Sequence, residues 1–185
     1  QINLGSTSSR PALKSAAAWI ACAPPNVQSS LIEGMSDNAT LSLPYLFEIW
    51  AHAHQLPPAG DWRSWVILGG RGAGKTRAGA EWIRQQVEGA TPLARGRGRR
   101  LALIGETYDQ VRDVMIQGDS GLLACSPPDR RPQWKSGERK LIWANGAMAQ
   151  AFSAHDPEAL RGPQFDTAWA DELAKWRRAR EAWDM

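Results

Sequence analysis

The spacing of hydrophobic positions changes character near residue 60. Before that point it follows a helical period. An Ala-rich piece over 12–23 is stopped by Pro24 and Pro25, and a short helix is expected over 27–33. A third helix starts near Pro44, where Leu46, Ile49, Trp50 and Ala53 keep the i, i+3, i+4, i+7 rule. "QLPPAGDW" breaks this pattern. The run "WVIL" (65–68), closed by glycine, then predicts a buried parallel strand. Ala78, Trp82, Ile83 and Val87 mark one face of a helix that Gly89 and Pro92 terminate. Residues 101–104 predict a second buried strand, and Thr107 with Gln110 a capping-box start for a helix through Ile116. "ERKLIWANGAMAQAF" predicts a hairpin turning at Asn145-Gly146 in type I′ geometry. "FDTAWADE" predicts a further strand, and Leu173, Trp176 and Trp183 begin a closing helix. Strands alternating with helices imply an α/β fold with a parallel-rich sheet flanked by helices. A small helical segment over 1–43 precedes the α/β domain, 44–185.

Composition narrows this picture without changing it. The 185 residues are 43% hydrophobic and 22% charged, which fits a packed domain and excludes global disorder. The formal net charge of +3 is unevenly spread: two basic and three acidic residues reach Gly60, twenty and sixteen follow. The mildly cationic second part tolerates polyanions. Ten tryptophans are read as core and helix-docking residues. Cys22 and Cys125 form no framework and suit a reducing compartment. His52 and His54 read as a packing or solvated pair, not as metal ligands. "KSAAAWIACAPP" has the outline of a secretory leader, but its apolar core is short and lies after a polar lead. No stretch approaches the roughly 20 apolar residues of a membrane span.

The chemistry concentrates in two places. "GGRGAGKT" (69–76) fits G-x-x-x-x-G-K-[ST] between a predicted strand and a predicted helix. Glycines at 69, 70, 72 and 74 let the backbone curl so that its N–H groups point inward, and the helix start adds its positive dipole end. Such a loop, with Arg71 and Ala73 completing it, holds a nucleoside triphosphate: Lys75 meets the β- and γ-phosphates and Thr76 ligates Mg²⁺. Asp171 and Glu172 close the strand of "TAWADE", 96 residues after Lys75 in the case of Asp171. One carboxylate there can hold Mg²⁺ and its neighbour can act as general base toward water, so ATP hydrolysis is expected. "RGRGRR" (95–100) reads either as a nucleic-acid loop or as a solvated flexible one.

"GDWRSWVILGGRGAGKTRAGAEWIR" together with "LRGPQFDTAWADELAKW" resembles the ATPase domain of the terminase large subunit of tailed phages, prophages and gene transfer agents. The resemblance runs from about Tyr45 to the last residue. It implies a P-loop NTPase of the additional-strand, catalytic-glutamate class, using ATP and Mg²⁺ to drive double-stranded DNA into a capsid. It implies Glu172 as catalytic base, Asp171 as the Mg²⁺ residue and Arg71 near the γ-phosphate. Gln55 would touch the adenine, and Arg161 is similar to an arginine near the nucleotide. A portal, a small terminase subunit, a ring of copies in the full-length protein and the cytoplasm of a bacterial host are implied as its setting, with no membrane. The family continues with a coupling strand and then a nuclease, neither of which is in this sequence, so the P-loop domain is expected to be C-terminally incomplete. That coupling strand would lie between the P-loop strand and the acidic strand, which leaves the sheet open, closed on itself or completed by another chain, with marginal stability and little turnover. A helicase or RecA-like motor, and a catalytically silent truncated prophage product, are the alternative readings.

Overall fold

The computed structural model describes residues 23–91 and 93–185. The expected helix over 12–23 falls outside them except for Ala23, as do Cys22 and Pro92. The chain divides into two compact units, Gln1–Ala78 and Gly79–Met185.

The first unit is helical and irregular. Helix α1 (Pro25–Glu33) opens on a proline at its first position and stops at Gly34. Helix α2 (Asp37–Ser42) is capped by Ser36, whose hydroxyl accepts the Ala39 N–H at 3.3 Å. The third helix expected from Pro44 is broken. A 3₁₀ turn Leu43–Tyr45 leads into a single α-turn, α3 (Phe47–Trp50), and a second 3₁₀ turn covers Ala53–Gln55. Leu46 leaves the helical region at its start, and Ala51 is extended at its end. Phe47, outside the predicted face, is the buried residue, while Leu46 and Trp50 stay exposed. The expected strand at 65–68 does not form: these residues carry no ladder, and Val66 and Leu68 are 61% and 80% exposed. An apolar run becomes a strand only where a neighbour takes its N–H and C=O groups, and no described strand does so here. Helix α4 (Lys75–Val87) follows the glycine loop, as expected.

The second unit is a five-stranded sheet in the order β2-β3-β4-β1-β5. Strand β1 (Arg100–Gly105) lies between β4 (Met148–Ser153) and β5 (Thr167–Ala170), parallel to both. Short β2 (Gln133–Lys135) and β3 (Lys140–Ile142) extend the β4 side in antiparallel fashion. The sheet is therefore mixed, and parallel only across β4, β1 and β5.

Alternation along β1 splits the core in two. Leu101 and Leu103 face a cluster with Ile83 and Val87 of α4, Met115, Leu141 and Trp169. Ala102 and Ile104 face Phe152, Leu160, Trp176 and Ala182. Covering both faces explains why β1 reads as an unbroken apolar run.

The capping residue Thr107 starts helix α5 (Tyr108–Gln110), but the following turn, Val111–Ile116, is π-helical. Its wider i→i+5 turn brings Val111, Met115 and Ile116 together into the core, all fully buried. Helix α6 (Leu122–Cys125) then covers the same face.

The β3–β4 connection is not type I′, because only Gly146 has positive φ (82°). Trp143 and Ala147 close a three-residue loop, with Gly146 N–H donating to Trp143 O at 2.9 Å. The Asn145 amide is instead spent on the carbonyls of Val87 (2.7 Å) and Ala94 (3.1 Å). The closing helix is also broken. A 3₁₀ turn Leu173–Lys175 and an extended Trp176 precede helix α7 (Ala179–Trp183), because the Trp176 indole turns inward to donate to Asp171 O at 3.0 Å. Among the described residues no strand lies on the outer side of β5, so the sheet is open there.

Gly79 packs under the indole of Trp169, where a Cβ would collide with ring atoms. Gly79→Ala gains about 0.8–1.0 kcal/mol of helix propensity but overpacks the core by about 1–3 kcal/mol. Overpacking wins. Urea denaturation should show a net loss of about 1 kcal/mol.

Candidate functional site

In the first unit, residues 69–74 form a loop that depends on its glycines. Gly72 and Gly74 have φ of 81° and 72°, a region that costs other residues about 1–2 kcal/mol. A Cβ on Gly69 would lie 2.9 Å from the Ala73 Cβ, and one on Gly74 would fall on the Gln55 amide. Lys75 curls back over the loop, its Nζ donating to Gly69 O at 2.9 Å and Gly70 O at 2.8 Å. Thr76 sits in the first turn of α4, whose ladder begins with Ala78 N–H donating to Gly74 O at 2.9 Å. Arg71 is exposed at the loop's tip.

Two side chains from the 3₁₀ turn hold the loop from behind. The Oε1 of Gln55 accepts the His52 N–H at 2.8 Å, while its Nε2 donates to Gly74 O at 3.3 Å. Gln55 thus acts here as a buried clamp between the turn and the loop. His54 Nε2 lies 3.1 Å from Ala73 O, within reach of the tautomer that carries the proton there. Its ring stacks on that of His52 at 5.7 Å between centroids. The sequence offered no sign of the His54 contact, because it joins residues nineteen apart. A cleft of about 720 Å³ opens beside the loop, lined by Phe47, Trp50, His52 and Gln55 on one side and Gly72 and Arg77 on the other.

In the second unit, the acidic pair stands at the C-terminal end of β5. Asp171 continues the ladder, its N–H donating to Ile104 O at 2.9 Å, and its side chain is buried. Glu172 turns out of the strand in the left-handed region, with φ 52° and ψ 40°. This conformation is held from both sides. Lys175 N–H donates to Glu172 O at 2.8 Å, and Lys175 Nζ reaches Glu172 Oε2 at 2.6 Å. Gln110 Nε2 reaches the same oxygen at 3.2 Å. The other half of that amide, Oε1, accepts the Glu106 N–H at 3.0 Å. Gln110 therefore does not close the reciprocal capping box but ties the end of β1 to Glu172. Lys175 was not among the residues expected to matter. Arg161 is exposed, with its guanidinium on Glu158 at 3.1 Å. No cluster of three or more His, Cys, Asp or Glu able to hold a metal occurs among the described residues.

The family described as terminase large subunit, T4likevirus-type, N-terminal, matches residues 66–185, nearly two thirds of the chain. The chain belongs to this family. It is the N-terminal region of a terminase large subunit, the family that serves DNA packaging in phages. The matched residues take in the glycine loop, α4 and the acidic pair together. No curated protein and no solved structure matches the chain. No helix among the described residues of this terminase region is long and apolar enough to cross a membrane.

The hydrogen bond and charge of Glu172 raise the Lys175 pKa above the usual lysine value of 10.5. A raised folded value means that the pair's contribution is complete below that ordinary value. It is lost only as pH climbs through the folded one. Glu172→Gln should therefore bring the Lys175 titration, followed by side-chain NMR, down toward the ordinary value. Gln55→Ala leaves the His52 N–H without its acceptor, while Gly74 O keeps the Ala78 N–H. The substitution should cost about 1–3 kcal/mol, read as a lowered urea midpoint.

Proposed function

We propose that this chain is the ATP-binding and ATP-hydrolysing part of a terminase large subunit that drives double-stranded DNA into a viral or virus-like capsid. The observation that carries the reading is the loop of residues 69–74 at the start of α4. Gly72 and Gly74 are required by their positive φ and Gly69 by contact with Ala73, and Lys75 Nζ lies over the loop's carbonyls. The donor set fits a nucleoside triphosphate: successive loop N–H groups, the N-terminus of a 13-residue helix, and a lysine already inside the loop's curve.

On this reading, residues 69–74 bind the phosphates through their backbone, and Lys75 leaves the carbonyls of Gly69 and Gly70 for the β- and γ-oxygens. The hydroxyl of Thr76 and the carboxylate of Asp171 would hold Mg²⁺, directly or through water. Mg²⁺, when bound, supplies charge neutralisation at the β- and γ-phosphates. Glu172 would orient a water and take its proton, and Arg71 would stabilise charge at the γ-phosphate. The base would lie in the cleft of Phe47 and Trp50, bounded by Gln55. A portal and a small terminase subunit would be its partners, in a ring of copies. A helicase-type or a silent module is not favoured, since the family match covers both motifs.

Lys75→Ala should abolish stabilisation by Mg–ATP, which at one hundred times the dissociation constant amounts to about 2.7 kcal/mol in the unaltered chain. Unchanged calorimetric affinity in Lys75→Ala would refute the loop's role. Glu172→Gln should bind ATP within a few-fold of the unaltered chain yet slow single-turnover hydrolysis by roughly 10²–10⁴. Asp171→Asn should instead raise the Mg²⁺ concentration required.

A further inference from the structure

The arginine-rich run "RGRGRR" at residues 95–100 is a built surface and not a loose loop. Gly96 N–H donates to Val87 O at 3.1 Å and Gly98 N–H to Gln86 O at 2.7 Å, satisfying carbonyls at the C-terminal end of α4. A Cβ on Gly96 would collide with the backbone of Gln86 and Val87. Asn145 fixes the run from the hairpin side through Ala94 O, and Asp166 fixes it from the β5 side through the N–H groups of Arg99 (2.8 Å) and Arg100 (3.2 Å). The glycines therefore face inward, and the arginines between them are displayed.

The display carries unbalanced charge. Arg95, Arg97 and Arg100 are exposed, and none of them makes an ion pair among the described residues. The nearby acids are already engaged: Glu88 by Arg84 at 3.0 Å, and Asp166 by backbone N–H groups. Arg99 spans inward to Gly146 O at 3.3 Å and leaves its buried Nη1 without a partner. The run stands at the N-terminal ends of β1 and β5. The acidic pair stands at the opposite ends, about 15–20 Å away for strands of this length.

We propose that Arg95, Arg97 and Arg100 form a contact surface for the phosphate backbone of duplex DNA, separate from the acidic end of the same sheet. Guanidinium groups match phosphate oxygens in a planar fork, and a fixed backbone removes part of the ordering cost of presenting them. The choice of duplex DNA over another polyanion rests on the packaging reading. Phosphate contacts carry no sequence information, so the surface would grip any duplex.

The test is fluorescence anisotropy of a duplex of about 30 bp with the whole chain, over roughly 50–200 mM salt. Replacing Arg95, Arg97 and Arg100 together by Ala should reduce the slope of log K against log salt by about 2.7, because each phosphate contact contributes about 0.9. The affinity lost across that fourfold salt rise then becomes about 40-fold smaller. A control with Arg63, Arg177 and Arg180 replaced by Ala, which removes the same charge elsewhere, should keep the original slope. An unchanged slope in the first variant, an equal fall in the control, no duplex binding by the unaltered chain, or tighter binding of polyglutamate than of duplex would each overturn the proposal. Mg–ATP affinity should not change in the first variant. Failure of the unaltered chain to bind Mg–ATP would remove the nucleotide reading, while the DNA slopes would still decide this surface.

Discussion

The last rung of the β1–β5 ladder, from Asp171 N–H to Ile104 O at 2.9 Å, fixes where the acidic chemistry stands. It exists because β1 and β5 run parallel in a register that sets Ile104 beside Ala170. A one-residue slip would turn Trp169 out of the core and drive Ala170 inward, reversing both faces of the strand. The burial of Trp169 against Gly79 therefore enforces the register, and the register brings Asp171 to the sheet's end with its side chain still sheltered. Glu172 is the first residue free of the ladder. Its left-handed backbone, at a cost of roughly 1–2 kcal/mol, is the means by which it leaves the strand direction at once. The Lys175 contacts and the Gln110 amide work against that cost, the Lys175 ion pair being exposed and weakened by solvent screening.

The glycine loop is held by a different kind of constraint. Its conformation requires residues without a Cβ, and its shape is set from behind by the Gln55 amide and the His54 ring. They fix two carbonyls, Ala73 O and Gly74 O, and so restrict which way the neighbouring N–H groups point. The loop's shape is thus set by its own neighbours, and the same residues line the adjoining cleft.

The sequence made some features legible and hid others, for reasons visible in particular residues. The apolar run of β1, the helix face of Ala78, Ile83 and Val87, and the Thr107 cap are local patterns, and they formed as their spacing implied. The glycine loop and the acidic pair stand out in the sequence because distinctive residue types fall at short spacing, and the structure places them at the start of α4 and the end of β5. The misreadings turn on partners, near or distant in the chain, that hydrophobic spacing does not reveal. The "WVIL" run lacks a strand beside it among the described residues. The Pro44 helix breaks where the Gln55 side chain takes the His52 N–H. The closing helix breaks where Trp176 turns to Asp171 O, and the hairpin adopts a longer loop in which Asn145 reaches Val87 and Ala94. Lys175 stayed hidden because an i+3 lysine after a glutamate is commonplace on any surface.

Two unmet demands remain, and they are of the same kind. Strand β5 offers a row of backbone N–H and C=O groups on its outer side, and residues 65–68 offer strand composition with no ladder. An exposed edge is usually blunted by charge, proline or a covering element. Among the described residues, Thr167, Ala168, Trp169 and Ala170 supply neither charge nor proline and no strand covers β5, and Val66 and Leu68 leave apolar surface exposed. A strand pairing with β5 would satisfy its free backbone groups, at about 0.5–1.5 kcal/mol net for each hydrogen bond formed. Because Asp171 and Glu172 follow directly from β5, pairing at that edge would also stiffen the segment that carries them.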